Sequence, residues 1–180
     1  MAEAHHRKKN PELVRIQLIE SARRLALENG LATVSLEAIA ADAGVTKGGL
    51  FYHFPNKQSL IEAVFQYLLQ AFQADLEARM SVDSEPYGCF TRAYVLSVFD
   101  VGVEAQWAPL WIATLTDQTL RRMWGDWLSA QLAQYGEAEL KLENSRFAAD
   151  GIWLGRMFGV APQDPDALQR YLVDMTRPEK

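Results

Sequence analysis

Between residues 45 and 57 the chain reads Val45-Thr46-Lys47-Gly48-Gly49-Leu50-Phe51-Tyr52-His53-Phe54-Pro55-Asn56-Lys57. These residue types suit the recognition of a polyanion. Thr46 and Lys47 stand where a helix would begin, and Lys57 starts the next one. At such ends the amide N–H groups and the helix dipole already favour a phosphate. Gly48 and Gly49 carry no side chain, so the helix surface there can approach base edges. Tyr52 and His53 project from the far end. Glycines inside a helix are costly, at about 1 kcal/mol each against alanine. Either a neighbouring helix comes close, or the surface is kept smooth for DNA; DNA approach is the better reading for at least one of the two.

The elements that position these residues are marked by caps and breakers. Asn10-Pro11-Glu12 is a helix start, with a capping Asn, Pro at the first helical position and an acid in the first turn. Leu13, Ile16, Ala22, Leu25 and Ala26 follow at helical spacing, and Asn29-Gly30 ends the run. Ser35 caps a second helix over 36–43, with Glu37 in its first turn, and Gly44 stops it. Thr46 caps a third, from Lys47 to about Phe54, which Pro55 cannot continue. Asn56 caps a long fourth, from Lys57 to about Arg79. Later runs predict helices over 87–103 and about 105–114, then from the Asp117 cap to Tyr135, over 137–159 and over 166–175. No alternating run bounded by hairpin turns occurs, so the fold class is all-α with about nine helices.

Helix, Gly turn, helix over 36–54 has helix-turn-helix logic. Ile39 and Ala40 face inward, Gly44 supplies the turn, Val45 plugs the corner, and Leu50 and Phe54 anchor the second helix. Residues from about Ile16 to Ile61 resemble the DNA-binding head of the tetracycline repressor family of bacterial regulators. The match is carried by Val45 to Leu60, and by Gly30 shortly before Thr33 and Ser35. The resemblance implies an N-terminal three-helix DNA-binding domain over 1–56 and an all-α ligand-binding and dimerisation domain over 57–180, with residues 1–10 a flexible start. It implies phosphate contacts from Thr33, Thr46, Lys47, Tyr52, His53 and Lys57, and base-edge contact from Gly48, Gly49 and Phe51. Phe51 departs from the Tyr often found there, keeping apolar contact with a thymine methyl but losing the hydroxyl. Gly49 often carries a larger side chain in relatives. Each residue also has a plainer role open to it: His53 as a helix cap, Phe51 as core, Lys47 and Lys57 as solvated charges.

Composition narrows the function. Residues 1–60 hold eight Lys/Arg and six Asp/Glu, whereas the remaining 120 hold 10 and 17. A mildly basic head on an acidic body permits a local polyanion site, while a pI of 5.2 argues against a general nucleic-acid binder. The start of the chain has basic Arg7-Lys8-Lys9 but no apolar stretch after it, so no secretory signal is expected. Cys89 is the single cysteine, so no internal disulfide can form and a cytoplasmic home is expected. No run approaches a membrane span. Of three histidines, two are in the N-terminal tail and the third is His53. No phosphate loop, nucleophile elbow or zinc motif occurs, so an enzyme is not expected, and no cofactor or metal is called for.

The second half supplies aromatics. All five tryptophans follow residue 106 (Trp107, Trp111, Trp124, Trp127 and Trp153), with Phe90, Tyr94 and Phe99 just before them. Such rings can line a pocket for a hydrophobic ligand or form a core, and Glu104 or Asp100 could meet a cation. Phe147, Gly151, Leu154 and Phe158 form one helical stripe with Gly155 beside it. Leu168, Tyr171, Leu172 and Met175 form another. Together they predict a two-fold dimer interface, although intrachain packing would use the same residues. The expected partners are operator DNA, a small effector and a second copy of the chain. A helical small-molecule-binding protein retaining a vestigial head is the competing reading.

Overall fold

The computed structural model describes residues 10–30, 34–100, 108 and 111–179, and among these only helices, turns and irregular segments occur. Thr33, Glu104, Trp107 and the basic tail lie outside the described residues. The helices are α1 (Pro11–Asn29), α2 (Leu36–Asp42), α3 (Lys47–His53), α4 (Lys57–Ser81), α5 (Cys89–Phe99), α6 (111–116), α7 (Gln118–Tyr135), α8 (Leu140–Met157) and α9 (Pro165–Met175). The all-α class read from the sequence is the one observed.

Six helix starts (α1, α2, α3, α4, α7 and α9) lie where capping side chains stand. An N–H at a helix start has no acceptor within the helix, and a short polar side chain supplies one. Asn10 Oδ1 accepts from Glu12 N–H, Ser35 Oγ from Ala38 N–H, and Thr46 Oγ1 from Gly49 N–H. Asn56 Oδ1 accepts from Ser59 N–H, Asp117 Oδ1 from Thr119 and Leu120 N–H, and Asp164 Oδ1 from Ala167 N–H.

Backbone contacts divide the chain into two units, one comprising residues to Leu68 with 109–120, the other 69–108 with 121–180. In the first unit, α2 packs on α1 and α3 packs on α2. Leu18, Ala22, Ala26, Ile39, Ala40, Leu50 and Phe54 are buried there. The turn between α2 and α3 closes by two reversed bonds, Val45 N–H to Ala40 O (2.9 Å) and Gly44 N–H to Ala41 O (3.1 Å). This double closure requires a left-handed residue, and Gly44 takes it at φ +62.

In the second unit, α5, α8 and α9 pack on one another. Leu76, Phe90, Ala93, Tyr94, Val95, Ala149 and Leu172 form its core. Two helices are shorter than the sequence predicts. α5 begins at Cys89 rather than Tyr87, because Gly88 is left-handed at φ +67. A Cβ on Gly88 would lie 2.2 Å from Thr176 O, so only glycine fits. α5 stops at Phe99 rather than Val103. Asp100 leaves the helical region and accepts from Arg79 Nη2 at 2.9 Å. α8 begins at Leu140 rather than Glu137, and ends at Met157 rather than Gly159. Glu137 is buried instead and caps α5: its carboxylate accepts from Phe90 N–H (2.9 Å), Thr91 N–H (2.8 Å) and Thr91 Oγ1–H (2.6 Å).

Candidate nucleic-acid interface

α3 is seven residues long and buries only Leu50. The chain's own packing therefore leaves the rest of the helix to other uses. Thr46, Lys47, Gly48, Phe51 and Tyr52 are exposed, and Gly49, His53 and Lys57 are half-buried. Phe51 is not core: it is 40% exposed, and Tyr52 is 79% exposed. An exposed aromatic pair on so short a helix is an uncovered apolar surface beside polar groups. The Tyr52 and His53 rings meet edge-on, with centroids 5.1 Å apart. Arg15 of α1 lies over the Phe54 ring at 5.1 Å, which helps to hold the end of α3 against the unit.

The two glycines of α3 differ in kind. A Cβ on Gly48 would meet nothing within 4 Å. One on Gly49 would fall 2.8 Å from Val45 Cγ1 and 3.3 Å from Thr46 Oγ1. A side chain at Gly49 would have to push Val45 aside, next to the Thr46 cap. Gly48 has no such intrachain constraint.

Thr46 Oγ1 accepts from Gly49 N–H, which leaves its O–H proton available to an external acceptor. Lys47 Nζ donates to Glu37 Oε1 at 2.6 Å and stands 6.0 Å from the centre of the Phe51 ring. Local sequence offers Glu37 only as a partner of the α2 dipole; its link to Lys47 comes from the fold. The Lys47 hydrogen bond, followed by a backbone one, holds the Glu37 carboxyl below its ordinary range. Elsewhere in the unit, Arg24 of α1 pairs with Asp42 of α2 and ties the two helices at the surface.

The second unit collects most of the described aromatics named as ligand candidates. Phe90 and Tyr94 lie in its core, and Phe99, Trp124 and Trp127 pack against it. Trp124 stacks on Trp127 (centroids 5.1 Å apart), and Phe90 on Tyr135 (5.3 Å). Phe72 stands edge-on to Tyr94 at 5.9 Å. Tyr94 donates its hydroxyl to Asp150 at 2.5 Å. Burial raises the Asp150 carboxyl above its ordinary range, against the hydrogen bond and the charge of Arg146. Trp111 belongs to the first unit, edge-on to Phe65 at 5.6 Å.

The α8 stripe is on the surface: Phe147, Gly151, Leu154 and Phe158 are exposed, with Gly155 half-buried beside them. Gly151 has open space where a Cβ would be, whereas a Cβ on Gly155 would meet Val160 O at 3.2 Å. On α9, Tyr171 is exposed, but Leu172 is not available to a partner. It is buried in the unit's own core, with Leu168 packed against the same cluster. The helical period turns these two inward, on the side facing α5 and α8.

Sequence reasoning missed a buried guanidinium. Arg92 on α5 pairs with Asp83 (2.6 Å) and donates to Glu85 O (2.7 Å), Thr176 O (3.0 Å) and Tyr87 O (3.2 Å). Its partners are up to 84 residues away, and no local pattern announces them.

A short glycine-cornered helix pair, with the second helix turned outward and a separate helical unit following, defines a helix-turn-helix regulator fold. The sequence profile of "Bacterial regulatory proteins, tetR family" matches residues 18–64, and that of "Tetracyclin repressor-like, C-terminal domain" matches residues 88–177. The HTH-type transcriptional regulator BetI of Ectopseudomonas mendocina is 30% identical over 164 residues, covering 82% of this chain and 84% of BetI. The HTH-type transcriptional regulator TtgR of Pseudomonas putida is 36% identical over 94 residues, covering 52% of this chain but only 44% of TtgR. The multidrug binding protein EbrR, solved complexed with ethidium, shares the fold with a TM-score of 0.67 at 24% identity, over 94% of this chain and 99% of that one. The chain belongs to the TetR family of bacterial regulatory proteins. Its named relatives are regulators, not enzymes.

Proposed function

We propose that the chain is a homodimeric repressor that leaves a near-palindromic operator when a small hydrophobic or aromatic effector binds. Residues 1–56 form the DNA-binding domain and residues 57–180 the effector and dimer domain. The observation that carries the reading is the outer face of α3: one buried residue, an open Gly48, and a polar and aromatic surface from Thr46 to Tyr52. Thr46, Lys47, Tyr52, His53 and Lys57 hold phosphates, together with Thr33. Gly48 and Phe51 face base edges, and Gly49 lets the helix corner form behind them. Two such helices, related by the dimer axis, enter successive major grooves.

The effector is held by the aromatic side chains of the second domain, where Trp124 and Trp127 stack beside Tyr94 and the Tyr94 hydroxyl meets the acidic Asp150. EbrR, complexed with ethidium, supports this choice of ligand class. α4 contributes residues to both units and is the lever between them. The effector acts only through unequal affinity for two states of the dimer. The dimer face comprises Phe147, Gly151, Leu154, Gly155, Phe158 and Tyr171. Gly151→Arg is expected to give monomers by light scattering with unchanged circular dichroism; a folded dimer moves the interface elsewhere.

The deciding experiment is selection of duplexes from a random pool by the full chain, read by sequencing. A two-fold symmetric motif is expected. No enrichment by a folded protein stripped of bound small molecules would favour the carrier with a vestigial head.

A further inference from the structure

Lys47 is the cation in the first turn of α3, and in the free protein it is already engaged. Its ammonium meets Glu37 Oε1 at 2.6 Å across the helix-turn-helix, from the first turn of α2. A phosphate at the start of α3 and the Glu37 carboxylate are therefore rivals for the same protons. Both partners are well exposed, each side chain at 62%. A pair so solvated is weak and easily opened, so it costs little to break but is not free. The fold brings the two together by construction. The closed Gly44 turn fixes α2 against α3, and Ser35 and Thr46 cap the two helix starts.

We propose that Glu37 is a built-in competitor of DNA for Lys47. It holds the ammonium in the free protein and is displaced when Lys47 turns to an operator phosphate, so it lowers operator affinity by a small fixed factor. This rests on the reading of α3 as the DNA-contacting helix. The consequence is a regulator held below its greatest attainable affinity. Such a regulator responds to a modest shift between its two states, because each weakened contact brings release nearer. A second consequence is separability. Besides Lys47, the Glu37 carboxylate accepts from its own backbone, a role that the amide oxygen of glutamine also fills. Exchange for glutamine therefore removes the charge and leaves the fold intact.

The test is a double-mutant cycle on full-length protein, with a duplex recovered by wild-type selection as the probe. Dissociation constants are measured by fluorescence anisotropy for wild type, Glu37→Gln, Lys47→Ala and the double variant, each checked by circular dichroism. Glu37→Gln is expected to bind about two- to five-fold tighter, the worth of an exposed ion pair. In the Lys47→Ala background the same substitution should change nothing, because the lysine it restrained is gone. A gain that persists undiminished without Lys47 means that Glu37 merely repels the phosphates, and the proposal fails. Weaker or unchanged binding by Glu37→Gln overturns it too, since the pair would then position the lysine or be inert. If Lys47→Ala itself leaves affinity untouched, or no duplex is selected, the fault lies one step earlier, in the DNA-contact reading of α3, and the inference falls with it.

Discussion

Phe51 and Tyr52 on α3 and Phe90 and Tyr94 on α5 are the same residue types in short helices, with opposite fates. The first two are 40% and 79% exposed, the second two 0% and 3%. The difference lies in what each helix must bury. α5 is covered by α8 and α9, and seven of its eleven residues are buried. α3 has one layer behind it and buries Leu50 alone. Aromatic side chains on α5 are therefore accounted for by stability, whereas those on α3 are unexplained until a partner is supplied. The same division separates the charges. Arg92 is buried among five acceptor atoms, while Lys47 keeps a single exposed acid. One region commits its polar groups to the fold, and the other holds them at the surface.

The largest effect should come from the buried side of this contrast. Arg92→Ala removes the guanidinium that ties 83–87 to Thr176 and strands Asp83 and three carbonyls. Breaking a buried pair of this kind costs about 3–5 kcal/mol. Denaturant unfolding is expected to show a loss of that order. A loss under about 1 kcal/mol would mean that water replaces the guanidinium, and the contrast between the regions would weaken. Lys47→Ala is the mirror case. Thermal stability should be unchanged, since exposed pairs contribute little. The slope of log K for operator against log salt should flatten by about 0.9, one phosphate's share. An unchanged slope would take Lys47 out of the DNA contact.

The two glycines sharpen the comparison within one helix. Gly48→Ala enters open space and gains helix propensity, so stability should rise by up to about 1 kcal/mol while operator affinity falls. Gly49→Ala meets Val45 Cγ1 at 2.8 Å, so the gain should be cancelled or reversed. Equal stability changes at the two sites, measured by thermal melting, would show that the corner yields and that Gly49 has no packing reason. Gly125 on α7 is as open as Gly48, and nothing in the structure explains it.

These contrasts also show what a sequence discloses. The caps at Asn10, Ser35, Thr46, Asn56, Asp117 and Asp164 are legible because each acts within three residues of itself. So is the outer face of α3, whose exposed residues all lie within one run of chain. Glu137 reads locally as a helix start, yet its role is to cap α5, some 46 residues earlier. Gly88 and Leu172 are silent for the same reason, as is the Thr176 side of Arg92: their partners are distant in sequence. Helical spacing gives Leu168 and Leu172 to one stripe but does not say which neighbour covers it. Nor can it tell the core rings Phe90 and Tyr94 from the half-covered Trp124 and Trp127, since all four repeat with one period.

The smallest predicted effect compares two carboxylates. Glu37, exposed beside Lys47, is held below its ordinary range, and Asp150, half-buried beside Tyr94, is raised above it. A carboxyl whose pKa rises on folding favours the fold while protonated and weighs against it once ionised. Its penalty is absent below the unfolded value, about 3.9, grows from there up to the higher folded one, and is complete above both. Asp150→Asn keeps an acceptor for the Tyr94 hydroxyl and removes the charge. The variant should melt higher than wild type at pH 7, and the gap should close as pH falls to 4 and below, where wild type becomes protonated in both states. Thermal melts across that range decide it. A variant destabilised at pH 7, by an amount that fades as pH falls, would mean that the negative charge, held by Arg146 and Tyr94, supports this core. In that case the polar groups of the second unit would be matched as closely as its rings, and a cationic effector would find no uncompensated acid there.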